Sequence, residues 1–142
     1  MRMPVLRLPI QQVGNRRMIP LELYVHIPFC VRKCQYCDFL SGPSDQKTRD
    51  AYVDALCREI RSTSQKEAYE VVSVFIGGGT PSVFSGEQLC RIMDEIKQAF
   101  ILSEDAEITM EANPGTVSPE QLKLCHEAGI NRISFGLQST VQ

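Results

Sequence analysis

The run Val71-Val72-Ser73-Val74-Phe75-Ile76, cut off by Gly77-Gly78-Gly79, constrains the fold of this chain more than any other feature. It is β-branched and nearly all apolar, without the alternation of a half-exposed strand, as a strand buried on both faces of a parallel sheet requires. Three further segments read as strands: Leu21 to Ile27, ended by Pro28; Ala106 to Glu111, followed by the turn Asn113-Pro114-Gly115; and Ile130 to Leu137. Between them lie helical patterns. Tyr52, Leu56 and Ile60, flanked by Val53 and Cys57, form one apolar stripe, and Leu89, Ile92, Met93, Ile96 and Phe100 form a second behind a capping box of Ser85 and Gln88. Ser118-Pro119-Glu120-Gln121 opens a third helix, with a capping serine and a first-turn proline, and Gly129 stops it. Four strands alternating with three helices, at spacings suited to right-handed crossovers, predict an α/β fold with a parallel sheet. A fourth strand without a covering helix is a poor end for such a sheet, so the chain is expected to be part of a longer protein and, in isolation, aggregation-prone.

The chain has 142 residues, enough for one domain with a real core. Arg2, Arg7, Arg16 and Arg17 all precede the first acidic residue, Glu22, and Pro4, Pro9 and Pro20 interrupt any amphipathic helix there. Residues 1–20 are therefore read as a basic, irregular extension rather than a targeting peptide, and 21–142 as the folded core. No stretch approaches the roughly 18 consecutive apolar residues of a membrane helix. A net charge of -2 argues against a nucleic-acid partner.

Of six cysteines, Cys30, Cys34 and Cys37 crowd into one loop, while Cys57, Cys90 and Cys125 are spread over helical patterns. The distribution is not a disulfide framework, and without a secretion signal a reducing, cytoplasmic compartment is expected. The spaced three read as small apolar residues of helix faces. The spacing CxxxCxxC supplies three soft ligands, enough for three irons of a four-iron cluster with the fourth left open to a small molecule. Structural zinc is the competing reading; it wants four ligands, and the nearest fourth is His26, on the far side of Pro28. An inert or transiently oxidised cluster of thiols is a third. His26 is also placed for a hydrogen bond toward the sulfurs, and Arg32 and Lys33 for lowering thiolate pKa or simply for solvation.

Gly77-Gly78-Gly79-Thr80-Pro81 directly follows the best strand, where glycines let backbone amides approach a ligand or merely make a tight turn. It is neither a dinucleotide fingerprint nor a phosphate loop. In a parallel sheet all strand C-termini share one rim. The cysteine loop, the glycine turn, Glu111 and Gln138 are thus expected to face one cavity, although a solvated strand end explains either of the last two equally well.

These residues are familiar together. Tyr24-Val25-His26-Ile27-Pro28-Phe29-Cys30, with CxxxCxxC and Tyr36 before the last cysteine, resembles the radical S-adenosylmethionine superfamily. Adding Phe75 to Ser82, Glu111 to Thr116 and Arg132 to Ser139 narrows the resemblance to the oxygen-independent coproporphyrinogen III oxidase group. It covers the chain from about Leu21 onward and implies the first four strands and three helices of an incomplete parallel (βα) barrel. It further implies that Cys30, Cys34 and Cys37 hold a [4Fe-4S] cluster and that Tyr24, Tyr36, Gly78, Gly79, Thr80, Glu111 and Gln138 contact S-adenosylmethionine. In that family a reduced cluster cleaves the sulfonium to a 5′-deoxyadenosyl radical that abstracts hydrogen, fed by an electron donor. Genuine oxidases of the group carry Cys-Gly-Cys at the end of the motif. Here Asp38-Phe39 follows Cys37, which looks more like the HemW branch of haem chaperones. The resemblance thus implies a haem chaperone with haem-receiving protein partners, and as the alternative an oxidase decarboxylating coproporphyrinogen III; a zinc-stabilised domain without catalysis is the third reading. Whether the chain is an enzyme is left open, and the truncated chain alone is expected to be inactive.

Overall fold

The computed structural model describes residues 12–13, 16–63 and 68–136. Four strands, β1 (Ile19–Ile27), β2 (Tyr69–Gly78), β3 (Ile101–Ala112) and β4 (Arg132–Phe135), pair in parallel in the order β1-β2-β3-β4. Helices α1 (Gln46–Ser62), α2 (Gly86–Ala99) and α3 (Pro119–Glu127) alternate with them, and a short 3-10 helix, Pro81–Val83, precedes α2. This is the expected α/β pattern. Ahead of it, Gln12–Val13 pairs antiparallel with Arg16–Arg17, and β1 starts at Ile19 rather than Leu21 because Ile19 and Pro20 pair with Tyr69 and Glu70. No helix among the described residues is long and apolar enough to cross a membrane.

Local chemistry sets the element ends. Ser85 accepts from the Gln88 N–H while the Gln88 side chain accepts from the Ser85 N–H, completing the capping box. Ser118 caps α3 through Gln121 with Pro119 behind it, and Asp45 caps α1 through Thr48. Gly129, at φ +98°, turns the chain out of α3. β3 begins before the expected Ala106, since Ile101 and Leu102 already pair with Glu70 and Val71; the ladder then breaks and resumes at Glu107. β4 is shorter than expected. Ile130 returns its N–H to Cys125 at the end of α3, and the Asn131 side chain bridges the Ile108 N–H and the Ala106 carbonyl, both at 2.8 Å, so pairing starts only at Arg132. Leu137, the expected end of that strand, lies outside the described residues.

The sheet uses its faces unequally. Val25, Ile27, Val74, Ile76, Ile108 and Met110 meet Val53, Cys57 and Ile60 of α1, Leu89, Ile92, Met93 and Ile96 of α2, and Cys125 of α3 in one core. Each such aliphatic side chain contributes about 1.5–3 kcal/mol on burial. Across the other face, register aligns Tyr24, Phe75, Thr109 and Arg132 in one row, exposed at Tyr24 and Arg132, half-buried at Phe75 and buried at Thr109. Burial of β2 on both faces is therefore only half right. Ser73 and Phe75 are half-buried, whereas Val74 and Ile76 are sealed under helices.

Gly79 fixes how the cysteine loop meets the sheet. Its N–H donates to the Ile27 carbonyl at 2.7 Å, and a Cβ there would fall 2.5 Å from the Phe29 carbonyl oxygen and 2.8 Å from that of Ile27. Backbone cannot rotate out of the way as a side chain can. Gly79→Ala is expected to cost about 2–3 kcal/mol, a fall in Tm on the order of 10 °C in thermal unfolding; an unchanged Tm would contradict this packing.

Candidate functional site

β1 delivers the chain through Pro28 and Phe29 into the cysteine loop, whose base is closed. Phe29 and Gly42 form a parallel bridge, in which the Cys30 N–H donates to the Gly42 carbonyl at 2.9 Å and the Gly42 N–H to the Pro28 carbonyl at 3.1 Å. Phe29 anchors this base in an aromatic group with Tyr52 and Phe84, at ring centroid distances of 5.2 and 5.8 Å. The Tyr52 O–H adds a 2.5 Å bond to the His26 carbonyl. Within the loop, Cys34 and Cys37 flank a turn closed by the Cys37 N–H and the Cys34 carbonyl, and the Lys33 ammonium donates to the Phe39 carbonyl, bracing the loop instead of reaching a thiol.

A cavity of about 380 Å³ at the carboxyl rim of the sheet is lined by Cys30, Cys34 and Cys37 together with Tyr24, Tyr36, Gly78, Gly79, Thr80 and Glu111. All the expected site residues meet there except Gln138, which lies outside the described residues. The volume is that of an ordinary small-molecule site. Tyr24 stacks on Phe75, with ring planes 17° apart, and its hydroxyl shares a 3.0 Å hydrogen bond with His26 Nδ1. His26 thus points to a tyrosine, not to the sulfurs. The hydrogen bond to Cys34, and the negative charge that thiol acquires, push the Tyr36 phenol above its ordinary pKa.

The glycine turn differs from the sequence expectation in one chemical respect. Its amides are already used: the Gly78 N–H donates to Glu111 Oε2 at 3.0 Å, that of Gly79 to the Ile27 carbonyl, and that of Thr80 to the Phe29 carbonyl at 2.7 Å. With its amides used, the side-chain polar groups at the turn that line the cavity are the Thr80 hydroxyl and, across from it, the Glu111 carboxylate. Gly78 needs its freedom twice over, for φ +112° and because a Cβ would overlap the His26 ring at 2.5 Å.

Sequence reasoning assigned no role to Asn113, Ser82 and Thr116, yet they tie the β2 and β3 exits together. Asn113 Nδ2 donates to Thr80 Oγ1 at 3.1 Å, the Thr116 hydroxyl donates to the Asn113 carbonyl at 2.7 Å, and the Ser82 and Thr116 hydroxyls touch. Asn-Pro-Gly-Thr after a strand was the available signal, since such turns place a polar side chain beside the neighbouring loop.

Among the described residues no three His, Cys, Asp or Glu side chains converge tightly enough to hold a single metal ion. The three thiols that line the cavity are the soft donor set that an iron–sulfur cluster takes.

The remaining cysteines are apart from this site. Cys57 and Cys125 are buried in the helix-covered core, and the Cys90 thiol faces the Leu124 carbonyl at 3.6 Å. Burial pushes all three thiols up, that of Cys125 from 9.0 to about 11. Such a shift keeps Cys125 protonated in the fold, so its contribution to stability is present below pH 9 and is lost as pH rises toward 11. At pH 8 its thiolate population is about a hundredfold lower than in the unfolded chain. Iodoacetamide is expected to label Cys30, Cys34 and Cys37 in the native, metal-free chain and Cys125 only after denaturation; native labelling of Cys125 at the loop rate would contradict the seating of α3.

Known proteins are similar to this chain in sequence and fold. The family model for the Radical SAM superfamily matches residues 24–142. The haem chaperone HemW of Escherichia coli (strain K12) is 45% identical over 125 residues, 87% of this chain and 33% of that protein. That of Bacillus subtilis (strain 168) is 44% identical over 118 residues, 82% and 31%. The solved coproporphyrinogen III oxidase (HemN) from Escherichia coli, described as a Radical SAM enzyme, superposes with a TM-score of 0.80 at 34% identity, over 86% of this chain and 29% of that one. The chain spans about a third of the length of the curated relatives it matches.

Proposed function

The chain belongs to the Radical SAM superfamily, and from that premise we propose that its rim cavity holds a [4Fe-4S] cluster and S-adenosylmethionine in the service of haem handling. The observation that carries this is the meeting of three loop thiols, the glycine turn and Glu111 around one cavity. Cys30, Cys34 and Cys37 would ligate the cluster. When bound, the pair supplies one-electron reductive cleavage at a sulfonium carbon. The chain's own residues bind and orient: carbonyls of the glycine turn and the Glu111 carboxylate take the donor groups of the cofactor, the Thr80 hydroxyl lies beside them, and Tyr24 and Tyr36 offer ring faces and phenol groups. Gln138 belongs to the same set by family resemblance.

The haem-chaperone reading is supported by the HemW relatives and by Asp38-Phe39 after Cys37. It implies a cytoplasmic protein that binds haem, receives electrons from a donor and passes haem to partner proteins. The likeness to the HemN structure favours coproporphyrinogen oxidation as the second reading. Anaerobic reconstitution of the chain with iron and sulfide is expected to load about four irons per chain, with the yield collapsing in Cys34→Ser; zinc uptake without iron would overturn the cluster assignment. In the complete protein, stoichiometric haem binding without consumption of coproporphyrinogen III fits the chaperone, and consumption of coproporphyrinogen III fits the oxidase.

A further inference from the structure

We propose that Asn113 is a positioning residue of the cofactor site, acting through Thr80: it holds the Thr80 hydroxyl as a hydrogen-bond donor toward the cavity and fastens the glycine turn to the exit of β3. The proposal rests on the cofactor reading above. Thr80 lines the cavity yet is only 4% exposed, so its hydroxyl has few partners to choose from. Asn113 Nδ2 takes an acceptor lone pair of Thr80 Oγ1 at 3.1 Å, which leaves the Thr80 proton for an acceptor elsewhere. The Asn113 backbone is itself held. Its carbonyl accepts from the Thr116 N–H at 3.1 Å and from the Thr116 hydroxyl at 2.7 Å, and its N–H makes a long 3.4 Å contact with Ser82 Oγ, a buried hydroxyl of the 3-10 helix after the glycine turn. The residues the chain places on β2's exit therefore have their geometry set from β3's exit. Glu111, two residues before Asn113, accepts from the Gly78 N–H through its carboxylate at 3.0 Å. Together the two side chains clamp both ends of Gly78-Gly79-Thr80.

An amide is required at position 113 because the polarity of the bond matters. A carboxylate there keeps the shape but can only accept, so it would draw the Thr80 proton away from the cavity. The test compares the reconstituted wild type with Asn113→Asp, Asn113→Ala, Thr80→Val and the Asn113→Ala/Thr80→Val double variant. The readouts are iron and sulfide content, Tm, and the Kd for S-adenosylmethionine by equilibrium dialysis. Expected are wild-type iron content and a Tm within a few degrees for Asn113→Asp, with affinity reduced about tenfold in each single variant. The double variant is expected to be no weaker than Thr80→Val alone, as two residues acting through one bond are non-additive. Full affinity in Asn113→Asp, or additive losses in the double variant, would overturn the positioning role while leaving the cofactor reading intact. A wild type that loads its cluster and binds no S-adenosylmethionine would overturn both.

Discussion

The backbone contact between Gly79 and the Ile27–Phe29 segment is the constraint on which the rest of the site depends. Two 2.7 Å hydrogen bonds, from Gly79 to Ile27 and from Thr80 to Phe29, bring the exit of one strand against the exit of its neighbour at a separation that no Cβ permits. The first residue of the cysteine loop, Cys30, follows directly. The loop is thereby fixed at its root to the turn that lines the opposite wall of the cavity, and the bridge between Phe29 and Gly42 closes it at its other end. Beneath the root, Phe29, Tyr52 and Phe84 convert core packing into loop placement.

That constraint also decides what the site can recognise. With three consecutive amides spent inside the protein, the turn lines the cavity with the Thr80 hydroxyl, and Glu111 adds a carboxylate held by Gly78. A group with donors to give, set beside soft sulfur ligands, satisfies such a surface better than a phosphate, which would need those amides free. The absence of a phosphate-loop lysine in the sequence and the use of the amides in the structure point the same way.

Much of this was legible in the sequence, for identifiable reasons. Strand β2 could be read from its β-branched run, the helix starts from Ser85 and Ser118, and the stop of α3 from Gly129, because each depends on neighbours in the chain. The meeting of Cys30, Glu111 and the glycines followed from the rule that parallel strands share a rim. Side-chain geometry across strands did not follow. The use of the glycine-turn amides, the turn of His26 toward Tyr24, and the clamp from Asn113 to Thr80 depend on register between β1, β2 and β3, and register is not written in any one segment. The early start of β3 and the late start of β4 were hidden for the same reason, since pairing of Ile101 with Glu70 and bridging by Asn131 are both tertiary.

The central claim is that the cysteine loop and the glycine turn form one site, with a cluster whose open iron is reached by S-adenosylmethionine. Electron paramagnetic resonance of the anaerobically reconstituted, dithionite-reduced protein, recorded with and without S-adenosylmethionine, tests it most directly. A four-iron signal that shifts on adding the cofactor, and shifts less in Glu111→Gln, is the predicted result; a cluster signal unchanged by saturating S-adenosylmethionine would contradict it.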